Sequence, residues 1–127
     1  MASDLVIVLD NEPGALARVA TAISDAGVNI AAATCMGAGK TVELHILVPH
    51  AEPVRHALAI SHTAVSGERE VVVVQAQDRP GELAELANRV SAAGVDLDLL
   101  YVATGSRVVF GAVDIEALKE ALAGISV

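Results

Sequence analysis

The sequence predicts an α+β protein built from two copies of one βαββαβ module with antiparallel sheets, and three observations carry that prediction. First, Pro13–Ile30 (PGALARVATAISDAGVNI) aligns without a gap on Pro80–Leu97 (PGELAELANRVSAAGVDL) 67 positions later, with nine of 18 residues identical. Second, each copy has the same start and stop signals around an amphipathic stripe. Third, a strand-like apolar run precedes each copy and alternating segments follow it. A period of this size occurring twice means two copies of one folding unit, and the division falls at residues 1–68 and 69–127. Units of about 60 residues bury only about 60 % of their unfolded surface, so further packing or a second chain is expected.

Leu5–Leu9 (LVIVL) is a short apolar run of strand formers, and Val71–Val74 (VVVV) takes its place in the second copy; both read as buried central strands. The first helix of each copy follows from Leu16, Val19, Ala20 and Ile23, matched by Leu83, Leu86, Ala87 and Val90. This is the i, i+3, i+4, i+7 spacing of one helical face. Pro13 and Pro80 suit the first helical position, and Gly27 and Gly94 suit the left-handed position just past the last turn. Asn29–Met36 reads as the second strand, Gly37 and Gly39 as a hairpin turn, and Thr41–Val48 as a third strand. In that third strand Val42, Leu44, Ile46 and Val48 share the buried face, and Thr41, Glu43, His45 and Leu47 the more polar one. The second copy repeats this with Asp96–Val102, a turn at Gly105 and Val108–Val113. Short helices follow at Glu52–Ala59 and Ile115–Ala123. His62–Gly67 is expected to be the last strand of the first module, whereas Ile125–Val127 leaves the second one with a short or missing edge. The order is that of a ferredoxin-like split βαβ unit with both helices on one face of the sheet.

Composition narrows the function. Hydrophobic residues make up 54 % of the chain with one Tyr, one Phe and no Trp, so the core is aliphatic. No stretch free of charge is long enough to span a bilayer, and no basic-then-apolar leader opens the sequence. Eight Lys and Arg against 16 Asp and Glu give a formal charge of −8, which argues against nucleic acid and anionic membrane surfaces as partners. The lone Cys35 fits a reducing cytoplasm. Gly39-Lys40-Thr41 imitates the end of a phosphate-binding loop, but Thr34 stands where the first Gly is required and a strand follows. His45, His50, His56 and His62 lack the spacing of a compact metal site, and no nucleophile has a base at motif spacing. No cofactor and no catalytic residue is expected.

The motif set Asn11-Glu12-Pro13-Gly14 with Gly27-Val28-Asn29-Ile30, and Asp78-Arg79-Pro80-Gly81 with Gly94-Val95-Asp96-Leu97, resembles the ACT domain. That family comprises regulatory modules that bind small molecules, most often amino acids, in association with metabolic enzymes. In a serine-responsive member the ligand is held between modules by an Asn before the Pro-Gly turn and another opening the second strand. By resemblance those roles fall on Asn11 and Asn29. The implied binding set is Asn11, Glu12, Gly14, Ala15, Leu16, Asn29 and Ile30, with Asp78, Arg79, Gly81, Glu82, Leu83, Asp96 and Leu97 as second-module equivalents. The resemblance implies a non-enzymatic sensor of an amino acid, a homodimer, and a metabolic enzyme as possible partner. The alternative is a subunit like the small regulatory subunit of acetolactate synthase.

The chemistry of the residues agrees. A zwitterion needs donors for its carboxylate and acceptors for its ammonium, and Asn offers both without charge. The helix start adds amides and the positive end of the dipole near Gly14 and Ala15. Asp78 and Asp96 are acceptors only when ionised, so the first module is expected to bind an amino acid and the second to be degenerate, cation-preferring or structural.

Overall fold

In the computed structural model, which describes residues 2–127, the chain separates into two compact units, one ending at Arg69 and the other spanning Glu70–Val127. The first contains β1 (Ser3–Asp10), α1 (Ala15–Asp25), β2 (Ala32–Met36), β3 (Thr41–Val48), α2 (Ala51–Ile60) and all but the last residue of β4 (Gly67–Glu70), with sheet order β2-β3-β1-β4. The second contains β5 (Val72–Gln75), α3 (Glu82–Ala92), β6 (Leu99–Ala103), β7 (Arg107–Gly111) and α4 (Ile115–Ala121), with order β5-β7-β6. Both are antiparallel α+β modules of the ferredoxin-like, ACT-type fold. No helix among the described residues is long and apolar enough to cross a membrane.

Period-two alternation builds the first core. Leu5, Ile7 and Leu9 of β1 and Leu44, Ile46 and Val48 of β3 are buried against Val19 and Ile23 of α1 and Val54 and Leu58 of α2. Val8, on the opposite face of β1, stays 48 % exposed, so this central strand is buried on its helix side rather than throughout. In the second unit Val72, Val74, Val108 and Phe110 meet Leu86 and Val90 of α3, Leu118 of α4 and Leu122 just past its end. The missing edge expected for the second unit appears as one isolated bridge, Val74 to Ser126, beside a Val127 N–H bond to the Val73 carbonyl at 2.7 Å.

Several element limits differ from the sequence reading, each for a local reason. Pro13 and Pro80 are not helical. They occupy the second position of type II turns whose third residues, Gly14 and Gly81, have φ of 87° and 88°. Ala15 N–H closes the first turn on the Glu12 carbonyl at 3.3 Å, and Glu82 N–H closes the second on Arg79 at 3.4 Å. β2 begins at Ala32 and not at Asn29, because β3 ends at Val48 and its residue Leu47 is the partner of Ala32. β6 begins at Leu99, leaving Asp96 and Leu97 ahead of it. The last strand of the first unit is Gly67–Glu70 rather than His62–Gly67, because His62 turns into the left-handed region at φ 59° and Thr63–Ser66 run as a loop. Arg55 of α2 pairs with Glu68, fixing the charged edge strand in place. Glu85 and Arg89 stand at i, i+4 on α3, a spacing that predicts an ion pair, but each has another partner. Glu85 pairs with Arg79, and Arg89 donates to the Ala121 and Ala123 carbonyls at 2.7 and 2.6 Å, satisfying the end of α4.

One polar triad crosses the first sheet. His45 of β3 contacts the fully buried carboxylate of Asp4 on β1 through Nδ1 at 2.9 Å and Glu43 through Nε2 at 2.7 Å. Partial burial by itself would lower the imidazole pKa, but the hydrogen bonds and charges of Asp4 and Glu43 outweigh it and hold it above the ordinary value of 6.5. A raised folded-state pKa gives stability that is complete below the unfolded value and is lost as pH rises through the folded value. The urea midpoint of the first unit is therefore expected to fall as pH increases above about 6.5, and His45→Gln to flatten that slope. A wild-type midpoint independent of pH in this range would remove the triad from the stability balance.

Candidate functional site

The two Pro-Gly turns place equivalent helix starts at the same end of each sheet, and their contents differ. Neither Gly14 nor Gly81 provides a side-chain cap. In α1 the first turn carries no acidic residue, and the first helical bond is Arg18 N–H to the Gly14 carbonyl at 3.0 Å. The Leu16 and Ala17 amides thus lie at the open, positive end of the helix, without intrahelical acceptors. In α3 the first turn carries Glu82 and Glu85. Glu82 accepts from Gln77 N–H at 2.6 Å and from Arg79 at 3.2 Å. The Gln77 N–H, followed by Arg79, holds the Glu82 carboxyl below the usual glutamate range.

Asn11 is tied to the β2–β3 hairpin. Its backbone N–H donates to Lys40 O at 2.8 Å and its Nδ2 to Gly39 O at 2.9 Å. The amide oxygen and the second Nδ2 hydrogen remain for a ligand. Asp78 makes no such tie, and in the second unit the work passes to Gln75 Nε2, which donates to Gly105 O at 2.7 Å.

The remaining residues of the implied set are distributed as follows. Ala15 is buried beneath the turn, Leu16 is 47 % exposed beside it, and Ile30 packs partly into the first core. Asn29 is exposed, but at the far end of the module. β1 runs from Ser3 to Asp10, so Asn11 follows its last residue; β2 starts beside Leu47, whose β1 partner is Asp4, so Asn29 lies beyond the opposite end. At about 3.3 Å per residue the length of β1 puts roughly 20 Å or more between them. One module therefore does not bring its two asparagines to one ligand. Asp78, Arg79, Glu82 and Leu83 line a cavity of about 180 Å³ with Val102, Ser106 and Val108. Asp96 is exposed and Leu97 packs partly into the second core, both away from that cavity.

Arg18 is the residue that the motif reading missed. Its guanidinium pairs with Glu12 at 2.9 Å, while Arg79 pairs with Glu85 at 3.0 Å at the same two repeat positions. The clamp between turn and helix is kept with its charges exchanged. Aligning the repeats exposes that exchange, since Glu12 and Arg18 stand opposite Arg79 and Glu85.

The comparisons agree with an ACT-type fold. The family model described as ACT domain matches residues 3–60. A solved structure of a protein from Bacteroides thetaiotaomicron is 26 % identical, covers 94 % of this chain and 85 % of its own, and superposes with a TM-score of 0.84. The regulatory subunits of aspartate kinase from Thermus thermophilus and Thermus flavus are each 18 % identical, covering 95 % of this chain and 89 % of theirs, with TM-scores of 0.69 and 0.65. At that identity the likeness is one of fold. No curated protein sequence matches the chain.

Proposed function

We propose that the chain is a non-enzymatic regulatory protein that binds a free amino acid at the first module's Pro-Gly turn, acting as a homodimer with a metabolic enzyme as its target. The observation that carries this reading is the contrast between the two helix starts: the first turn of α1 carries no acidic residue and follows Asn11 by way of the Pro-Gly turn, whereas the first turn of α3 carries Glu82 and Glu85. A carboxylate is favoured at the first and opposed at the second. The binding set is Asn11, Glu12, Gly14, Ala15, Leu16, Asn29 and Ile30, with Asn29 and Ile30 supplied by a second copy of the chain. We take the second module as a degenerate copy of the first, retained for structure.

The edge of the first sheet supports the dimer. β2 (AATCM) lies at the edge, carries no charge and no Pro, and exposes 75 % of Met36. An uncharged edge strand is a template for pairing. Two such strands joined antiparallel about a two-fold axis set the Asn29 end of one copy beside the Asn11 end of its partner.

A thermal-shift screen with each of the 20 amino acids at millimolar concentration tests the reading. At least one is expected to raise the melting temperature, since a ligand at 100 times its Kd adds about 2.7 kcal/mol to the native state. No stabilisation by any of them would overturn it. Regulation then requires that the ligand bind one arrangement of the copies better than another.

A further inference from the structure

The first unit holds a second polar cleft on the side of β1 away from β2. β4 has four residues against the eight of β1, and the chain first reaches β1 where Ser66 N–H meets the Val6 carbonyl at 2.7 Å. Among the described residues no strand covers that edge beyond Val6, and Val8–Asp10 line a cavity of about 380 Å³. Its other walls are α1, through Arg18, and the Ser61–Ser66 segment. A neighbouring groove of about 460 Å³ shares Arg18, Ser61 and Thr63 and continues along α1 to Asp25.

The lining has a definite chemistry. Arg18 is a donor-only cation, Asp10 supplies acceptors, and Ser61, Thr63 and Ser66 add hydroxyl groups. A simple anion would meet Asp10, and Glu12 already pairs with the guanidinium. A molecule with both poles can use both groups: a carboxylate exchanges with Glu12 for Arg18, and an ammonium group turns to the Asp10 carboxylate and the Val8 carbonyl, which faces the same edge as that of Val6. In the second unit the repeat puts Gln77 and Glu85 where Asp10 and Arg18 stand, so this pair of charges is not duplicated.

The geometry points to a second dipolar-ligand site in this cleft, taking a free α-amino acid and formed by one copy of the first unit alone. It rests on the amino-acid reading for the ligand class but not on the asparagines or on dimerisation.

Backbone amide resonances of the full chain, titrated separately with each of the 20 amino acids, distinguish the sites. At least one amino acid is expected to give saturable shifts at Val8, Thr63, Ala64 and Ser66. Arg18→Gln should weaken that binding by about tenfold or more, the effect of losing a hydrogen bond to a charged group. Glu12→Gln should strengthen it several-fold by removing the internal competitor, which a purely structural clamp would not do. Saturable shifts confined to Asn11, Leu16 and Asn29 would overturn the cleft and leave the asparagine site standing. Shifts at the cleft alone would support it and overturn the asparagine site. No saturable shift with any amino acid would overturn both.

Discussion

Phe110→Ala is expected to unfold the second unit while leaving the first in place. Phe110 is the largest side chain in its core, 0 % exposed, and is surrounded by the apolar faces of α3 and α4. Removing a buried aromatic ring costs about 3–5 kcal/mol, because the lost transfer energy is joined by that of the cavity left behind. Glu70–Val127 comprises 58 residues. A unit of that size has a total stability of roughly 3–9 kcal/mol, so the loss is comparable with the whole. The aliphatic residues around it are too short to close the space. Hydrogen exchange should show amides of β5 and β7 losing protection while those of β1 and β3 keep theirs. Phe110→Leu, which keeps most of the volume, should cost less than half as much. Wild-type protection in β7 of Phe110→Ala would show that the core of the second unit does not depend on this ring.

That reliance on one ring follows from the composition, and it marks how far the sequence could be read. The repeat, the two helices per module and their apolar stripes were legible because each rests on local spacing. Val19 and Ile23 face the first core as the stripe requires, as Leu86 and Val90 face the second. The left-handed Gly27 and Gly94 were legible for the same reason, with φ of 76° and 72°. Pro13 misled because proline at a first helical position and proline in a type II turn share one φ; only the positive φ of Gly14 separates them. The end of β4 misled differently. The sequence places the strand at His62–Gly67 because Gly67-Glu68-Arg69-Glu70 carries no apolar alternation, yet charge is what an exposed edge strand uses against unwanted pairing.

The site was legible as chemistry and not as geometry. Asn11, Gly14 and Ala15 could be placed together because they adjoin one turn. Arg18 enters the cleft from one turn of helix further on, beside a loop 43 or more residues away in sequence, and no local pattern announces that meeting. The separation of Asn11 from Asn29 depends on the register of β2 against β3, which the spacing of 18 residues does not reveal.

That separation makes the dimer testable through the ligand. For an amino acid identified by the thermal screen, Asn11→Ala and Asn29→Ala are each expected to weaken binding by about 10–100-fold, the range for losing a hydrogen bond to a charged group. Mixing the two variants in equal amounts and allowing subunits to exchange gives the stronger result. The Asn29→Ala chain still supplies Asn11, and the Asn11→Ala chain still supplies Asn29. Each mixed dimer therefore contains one site with both asparagines and one with neither. With random exchange half the dimers are mixed, so about a quarter of all sites should regain wild-type affinity in a calorimetric titration. Recovery would also show that Asn11→Ala still folds despite losing its bond to Gly39. If both asparagines acted within one copy, mixing would restore nothing, and the two-copy site would have to be abandoned even if each single variant bound poorly.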